Sequence, residues 1–104
     1  MRKKIHLTID EKVLQKINFV SSELYIPVGI IFDSLMEYSM KKQCRPLPAD
    51  NNRQKITTTV NPDSWIRFKA YCDKNDYNYN KIIEASFNKQ YRNYMRKIKN
   101  TKQA

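Results

Sequence analysis

The chain has 104 residues, 40% hydrophobic, 12% aromatic and 29% charged, with one glycine, four prolines and a net charge of +10. That length predicts one compact unit with a packed core, and the single glycine excludes collagen, Gly/Ser linkers and any Gly-rich phosphate loop while disfavouring a turn-rich β-sandwich. The charge is uneven, +2 over residues 1–52 and +8 over residues 53–104, and a small chain this basic points to a polyanionic partner such as nucleic acid.

The first element is a strand over residues 4–10. Ile5, Leu7 and Ile9 alternate with Lys4, His6 and Thr8, the period of two that marks a half-buried strand. Asp10 can cap a following helix. That helix carries Val13, Ile17, Val20 and Leu24 at steps of 4, 3 and 4, a one-sided apolar pattern. Tyr25-Ile26-Pro27 stops it, because the residue before a proline avoids the helical region. Pro27 can then open a second helix holding Ile31, Leu35 and Tyr38, with Phe32, Met36 and Met40 alongside.

The segment from Cys44 to Asn52 contains two prolines and three Asp or Asn residues and reads as a linker. A second strand follows over residues 55–61. Ile56, Thr58 and Val60 oppose Lys55, Thr57 and Thr59, with Thr58 a weak point on the inner face. Asn61-Pro62-Asp63 then supplies a cap, a proline at the first helical position and an acid in the first turn. Trp65, Phe68 and Cys72 form the apolar side of the third helix. Asn75-Asp76-Tyr77-Asn78 is a turn, with Asn78 or Asn80 capping the fourth helix. Ile83, Phe87, Tyr91, Tyr94 and Ile98 step by 4, 4, 3 and 4, so that helix runs on into the basic tail.

The two halves repeat at an offset of 51 residues. Ile5, Ile9, Leu14, Ile17, Ile26, Ile31, Phe32 and Met36 fall on Ile56, Val60, Trp65, Phe68, Tyr77, Ile82, Ile83 and Phe87, and every pair is apolar or aromatic. Each copy, residues 1–43 and 54–104 with a linker at 44–53, is a strand and two helices. One strand leaves both of its edges unpaired, and a unit of about 50 residues sits near the lower limit for a core. The copies should complete one another.

No Cys/His metal spacing occurs, and Cys44 and Cys72 are expected as buried free thiols. His6, the only histidine, has no nucleophile or paired carboxylate beside it in the pattern, so an enzyme is not expected. No signal-peptide core follows Met1 and no apolar run approaches the roughly 20 residues that span a bilayer, so the chain reads as a soluble cytoplasmic protein. Tyr71, Tyr77, Tyr79, Tyr91 and Tyr94 fit half-buried helix positions better than stacking platforms for single strands.

This repeated strand–helix–helix pattern, with an alternating strand, a capped first helix and an apolar second helix, resembles the ribbon-helix-helix family of DNA-binding proteins. The resemblance covers nearly the whole chain, twice, as in the tandem members of that family among relaxosome accessory proteins. It implies a mainly α fold with a two-stranded antiparallel β-ribbon, both copies forming one intramolecular pseudo-dimer. It further implies that the ribbon enters the major groove of double-stranded DNA, where all four base pairs are distinguishable. The base-reading positions then fall on Lys4, His6, Thr8, Lys55, Thr57 and Thr59. The family's phosphate contacts, made by free N–H groups at the start of the second helix, fall on Val28 and Gly29 after Pro27, and on Asn78, Tyr79 and Asn80. No Ser, Thr or Asn caps the helix after Pro27, a departure from the pattern. Gly29 would let a phosphate come close. The tail cations Arg92, Arg96, Lys97, Lys99 and Lys102 could add contacts to a DNA backbone or an acidic partner.

The commonest role of the fold makes a transcriptional repressor the leading expectation. A relaxosome accessory or plasmid-maintenance protein is the alternative suggested by the tandem copies, and an antitoxin-type interaction module is another. The expected partners are double-stranded DNA and further copies of the protein on adjacent sites, with no cofactor, metal, membrane or small-molecule substrate. The outer faces, with His6 and Thr8 on one strand and Thr57 and Thr59 on the other, predict unlike half-sites and hence an imperfect palindrome or a direct-repeat array.

Overall fold

The computed structural model describes residues 1–46 and 53–103, with side chains to Thr101. The element order is β1 (Lys3–Asp10), α1 (Glu11–Leu24), α2 (Val28–Lys41), β2 (Arg53–Val60), α3 (Pro62–Lys74) and α4 (Tyr79–Gln103). The fold is mainly helical with one two-stranded sheet, in which β1 and β2 pair antiparallel.

The helix starts follow from their caps. Asp10 Oδ1 accepts from the N–H groups of Lys12 and Val13 at 2.9 and 3.1 Å. Asn61 Oδ1 accepts from Ser64 N–H at 3.0 Å, with Pro62 opening α3. At α4 the cap is Asn78, whose Oδ1 accepts from Asn80 N–H at 2.9 Å, while Asn80 itself lies inside the helix. These bonds satisfy donors that a helix start otherwise leaves open. Pro27 stands just outside α2 as its cap residue and offers no side-chain bond.

The turns between paired helices are built alike. Tyr25 and Asp76, 51 residues apart, both take left-handed backbone with φ 56°. The next residue donates back in each case, Ile26 N–H to Ser21 O at 3.1 Å and Tyr77 N–H to Cys72 O at 2.8 Å.

Alternation places Ile5, Leu7 and Ile9 in the core and leaves Lys4 and His6 exposed. On β2 only Val60 is buried; Ile56 and Thr58 are half-buried beneath the ribbon. The ribbon's inner face covers one apolar cluster that includes Ile17, Val20, Phe32, Leu35, Phe68, Ile83 and Phe87. Fully burying one such side chain contributes about 2 kcal/mol. The helices cross between the halves: α1 packs on α4, α3 on α2, and α2 on α4, while α4 lies against β1 and α2 against β2. Neither half therefore closes its core alone.

A polar clasp recurs at the same offset. Arg2 Nη2 donates to Asp33 Oδ2 at 2.9 Å and to the Thr59 carbonyl at 2.8 Å, and Asp33 Oδ1 accepts from Asn61 N–H at 2.7 Å. Arg53 Nη2 donates to Glu84 Oε2 at 2.8 Å and to the Thr8 carbonyl, and Glu84 Oε2 accepts from Asp10 N–H at 2.8 Å. Each residue of the first set lies 51 positions from its counterpart in the second. Each carboxylate on a second helix thus holds the end of the other half's strand. Backbone N–H groups at strand ends lack ladder partners, and these bonds supply them.

One boundary differs from the sequence expectation. Arg53, placed there in the linker, opens β2 because its side chain is drawn to buried Glu84. Residues 47–52 of that linker lie outside the described residues. The basic tail forms the last turns of α4, as the periodicity predicts. No single helix among the described residues is long and apolar enough to cross a membrane. Cys44 and Cys72 are buried free thiols, and burial pushes the Cys72 thiol up to about 12.

Candidate nucleic-acid interface

Antiparallel pairing gathers the six outward residues into three rows. Lys4 faces Thr59, His6 faces Thr57, and Thr8 faces Lys55. Five of the six are exposed and Thr8 is half-buried. None carries negative charge. The rows lie about 6.6 Å apart, two residues of strand rise, which matches roughly two base-pair steps of duplex. A two-stranded ribbon also fits the major groove in width.

The hydroxyls are oriented by their neighbours. His6 Nδ1 and Thr57 Oγ1 share a hydrogen bond of 3.0 Å across the ribbon. That engagement leaves Nε2 as the ring nitrogen directed to any ligand. Arg2 Nε donates to Thr59 Oγ1 at 3.3 Å, so the Thr59 hydroxyl keeps its proton for another acceptor. Lys4 and Lys55 are exposed.

Both second helices begin beside this face. Tyr79, the first residue of α4, lines a cleft of about 490 Å³ together with His6, Thr8, Lys55 and Thr57. Val28, the first residue of α2, lines a cleft of about 310 Å³ with Gln54, Ile56, Thr57 and Thr58. The first N–H groups of a helix have no intrahelical partner and carry the positive end of its dipole. Two anion-favouring helix ends thus flank the polar rows.

Two of the residues assigned to phosphate do something else. Gly29 is buried, and a Cβ there would sit closer than 3.0 Å to the Thr59 carbonyl. The close approach that requires glycine here is to the β2 backbone. Asn80, its counterpart 51 residues on, turns its side chain inward, and its Oδ1 accepts from Thr8 N–H at 3.0 Å. Its own N–H is taken by Asn78. Val28 and Tyr79 are left as the residues at the two helix starts, with Asn78 capping.

The sequence reading missed Arg2, Arg53, Asp33 and Glu84. The repeat carries their signal, since Arg recurs at 2 and 53 and a carboxylate at 33 and 84, outside the apolar positions that define the repeat. The pairing confines the difference between the two strands to one row. The outer positions Lys4 and Thr8 meet Lys55 and Thr59 at the same offset, so the two strands differ among the outward residues only at His6 and Thr57.

The tyrosines Tyr71, Tyr77, Tyr79, Tyr91 and Tyr94 all pack against the core. On α4, Lys89, Arg92, Arg96 and Lys99 are exposed at steps of 3, 4 and 3 and form one basic stripe. No protein family, curated protein or solved structure matches this chain.

Proposed function

We propose that this protein binds double-stranded DNA sequence-specifically, inserting the β1–β2 ribbon into the major groove as a ribbon-helix-helix pseudo-dimer folded from one chain. The observation that carries the reading is the set of three cross-strand rows: six outward side chains, none acidic, on a ribbon whose other face is the core. Lys4 and Lys55 would donate to guanine O6 and N7. Thr8, Thr57 and Thr59 would bond base edges or touch a thymine methyl. The N-termini of α2 and α4 would grip phosphates on either side.

The pseudo-dimer part rests on the clasp. A dimer of identical chains would place the same arginine, carboxylate and strand-end N–H on both sides of its axis. Here Arg2 with Asp33 and Arg53 with Glu84 fill those places within one polypeptide. A groove-filling clamp on promoter DNA excludes polymerase, and transcriptional repression is the use we propose for it.

Selection from a library of random duplexes tests the reading. A single enriched motif is expected, with affinity lost by at least tenfold in a K4A/K55A variant that keeps its thermal transition. A wild-type chain that enriches no sequence would refute it.

A further inference from the structure

We infer that the DNA site is an inverted repeat broken only at its centre, and that His6 and Thr57 are the residues that break it. This rests on the DNA reading proposed above and adds the geometry of the target.

The register decides where the two-fold axis of the ribbon runs. Each β1 residue and its β2 partner have numbers that add to 63: Lys3 with Val60, His6 with Thr57, Asp10 with Arg53. Shifting β1 forward by 51 and β2 back by 51 reproduces the same pairing. One outward pair maps onto itself under that exchange, His6 with Thr57. The axis therefore passes between these two side chains. The flanking rows exchange with each other: Lys4 with Thr59 becomes Lys55 with Thr8. Both flanks thus carry one lysine and one threonine in the same relative places. The backbone beneath them is also matched, because the Thr8 and Thr59 carbonyls each accept from an arginine paired to a carboxylate.

Identical side chains on related backbones read identical base edges, and an antiparallel ribbon presents them in opposite directions. The arms of the site must then be inverted repeats. At the centre the two strands offer unlike chemistry. His6 presents a ring nitrogen, and Thr57 presents a hydroxyl and a methyl. Their mutual bond through Nδ1 fixes the imidazole and leaves Nε2 to the base, a donor for purine N7 when Thr57 donates to Nδ1. A self-complementary centre cannot satisfy both groups. With rows about 6.6 Å apart, the asymmetric region covers about two base pairs, and each arm begins about two base pairs out.

The inference gives His6 and Thr57 a role separate from affinity. They set the polarity in which an otherwise symmetric protein lies on its DNA. That polarity decides which flank of the site receives the basic stripe of α4, for which α2 has no counterpart beyond Lys41.

Random-duplex selection with three variants tests it. Wild type should return inverted arms around a non-self-complementary centre. His6→Thr should return the same arms around a self-complementary centre, and should bind the wild-type site about tenfold more weakly, the usual cost of one mismatched contact. Thr57→His should return the same arms around a different self-complementary centre. The exchange variant H6T/T57H should return the same arms and centre with affinity within about tenfold, since turning the protein over restores every ribbon contact and moves only the α4 stripe to the other flank. Unchanged thermal transitions, expected for exposed positions, show that the variants fold. A wild-type motif with a palindromic centre, arms that change in H6T, or an exchange variant that loses the site overturns the inference while leaving DNA recognition in place. A wild-type library without enrichment overturns both.

Discussion

Replacing Gly29 by alanine separates two explanations of the same residue. In an exposed helix interior the change would stabilise by about 1 kcal/mol, because alanine loses less backbone freedom on folding. At this position the added Cβ would lie closer than 3.0 Å to the Thr59 carbonyl oxygen and 3.1 Å from Arg2 Nη2. The carbonyl is backbone, tied into the ribbon and to Arg2, so α2 must withdraw. Overpacking of a fixed contact costs typically 1–3 kcal/mol, and the withdrawal also strains the Asp33 bond to Asn61 N–H. The net expectation is a loss of about 1–2 kcal/mol. For a domain of this size that lowers the thermal midpoint by roughly 4–15 °C. Urea titration and thermal melting followed by circular dichroism read it out. DNA affinity should fall with it, because the N-terminus of α2 moves relative to the ribbon. A G29A protein that melts at or above the wild-type temperature would refute the steric argument and return Gly29 to the phosphate.

Other outcomes follow from the same contacts. Glu84→Ala leaves Arg53 and Asp10 N–H without their buried acceptor and should cost about 3 kcal/mol in urea titrations, more than Asp33→Ala, whose partner Arg2 is the more exposed arginine; equal losses would contradict the assigned burial. Tyr25→Gly relieves the left-handed backbone of an exposed side chain and should raise stability by about 0.5–1 kcal/mol, and a lowered melting point would count against it. Glu37 is held below the usual carboxylate range by Arg67 and Ser64, so its pairing stabilises at neutral pH and is lost as the pH falls through that lowered value; the stability difference between wild type and E37Q, small for so exposed a pair, should be present at neutral pH and shrink as acid protonates Glu37, and a difference that grows on acidification would contradict it. Burial raises both thiols, so a thiol reagent at pH 8 should label Cys44 and Cys72 only after denaturation.

Much of the architecture could be read from local pattern. The alternation at Ile5, Leu7 and Ile9 and the caps Asp10 and Asn61 are decided within a few residues, and the structure places each where the pattern predicts. The offset of 51 extends beyond the apolar positions. It relates Tyr25 to Asp76 in the turns and Arg2 to Arg53 in the clasp. Contacts between distant segments were harder to see. Arg53 and Glu84 look like ordinary surface charges, and their burial follows only once β2 and α4 are packed together. Gly29 stands out as the single glycine, but its neighbour is a strand 30 residues away. The strand pairing itself follows from the edge problem of a lone strand. Its register does not, since one residue of slip would take the centre off His6 and Thr57 and turn the outward residues to the other face.

The central claim is that the outward face of the ribbon meets DNA. Amide chemical-shift mapping during titration with a selected duplex tests it directly. The account predicts that the largest changes fall on residues 4–8 and 55–59, with Val28 and Tyr79 following. Changes confined to the last turns of α4, with the ribbon amides unmoved, would contradict it.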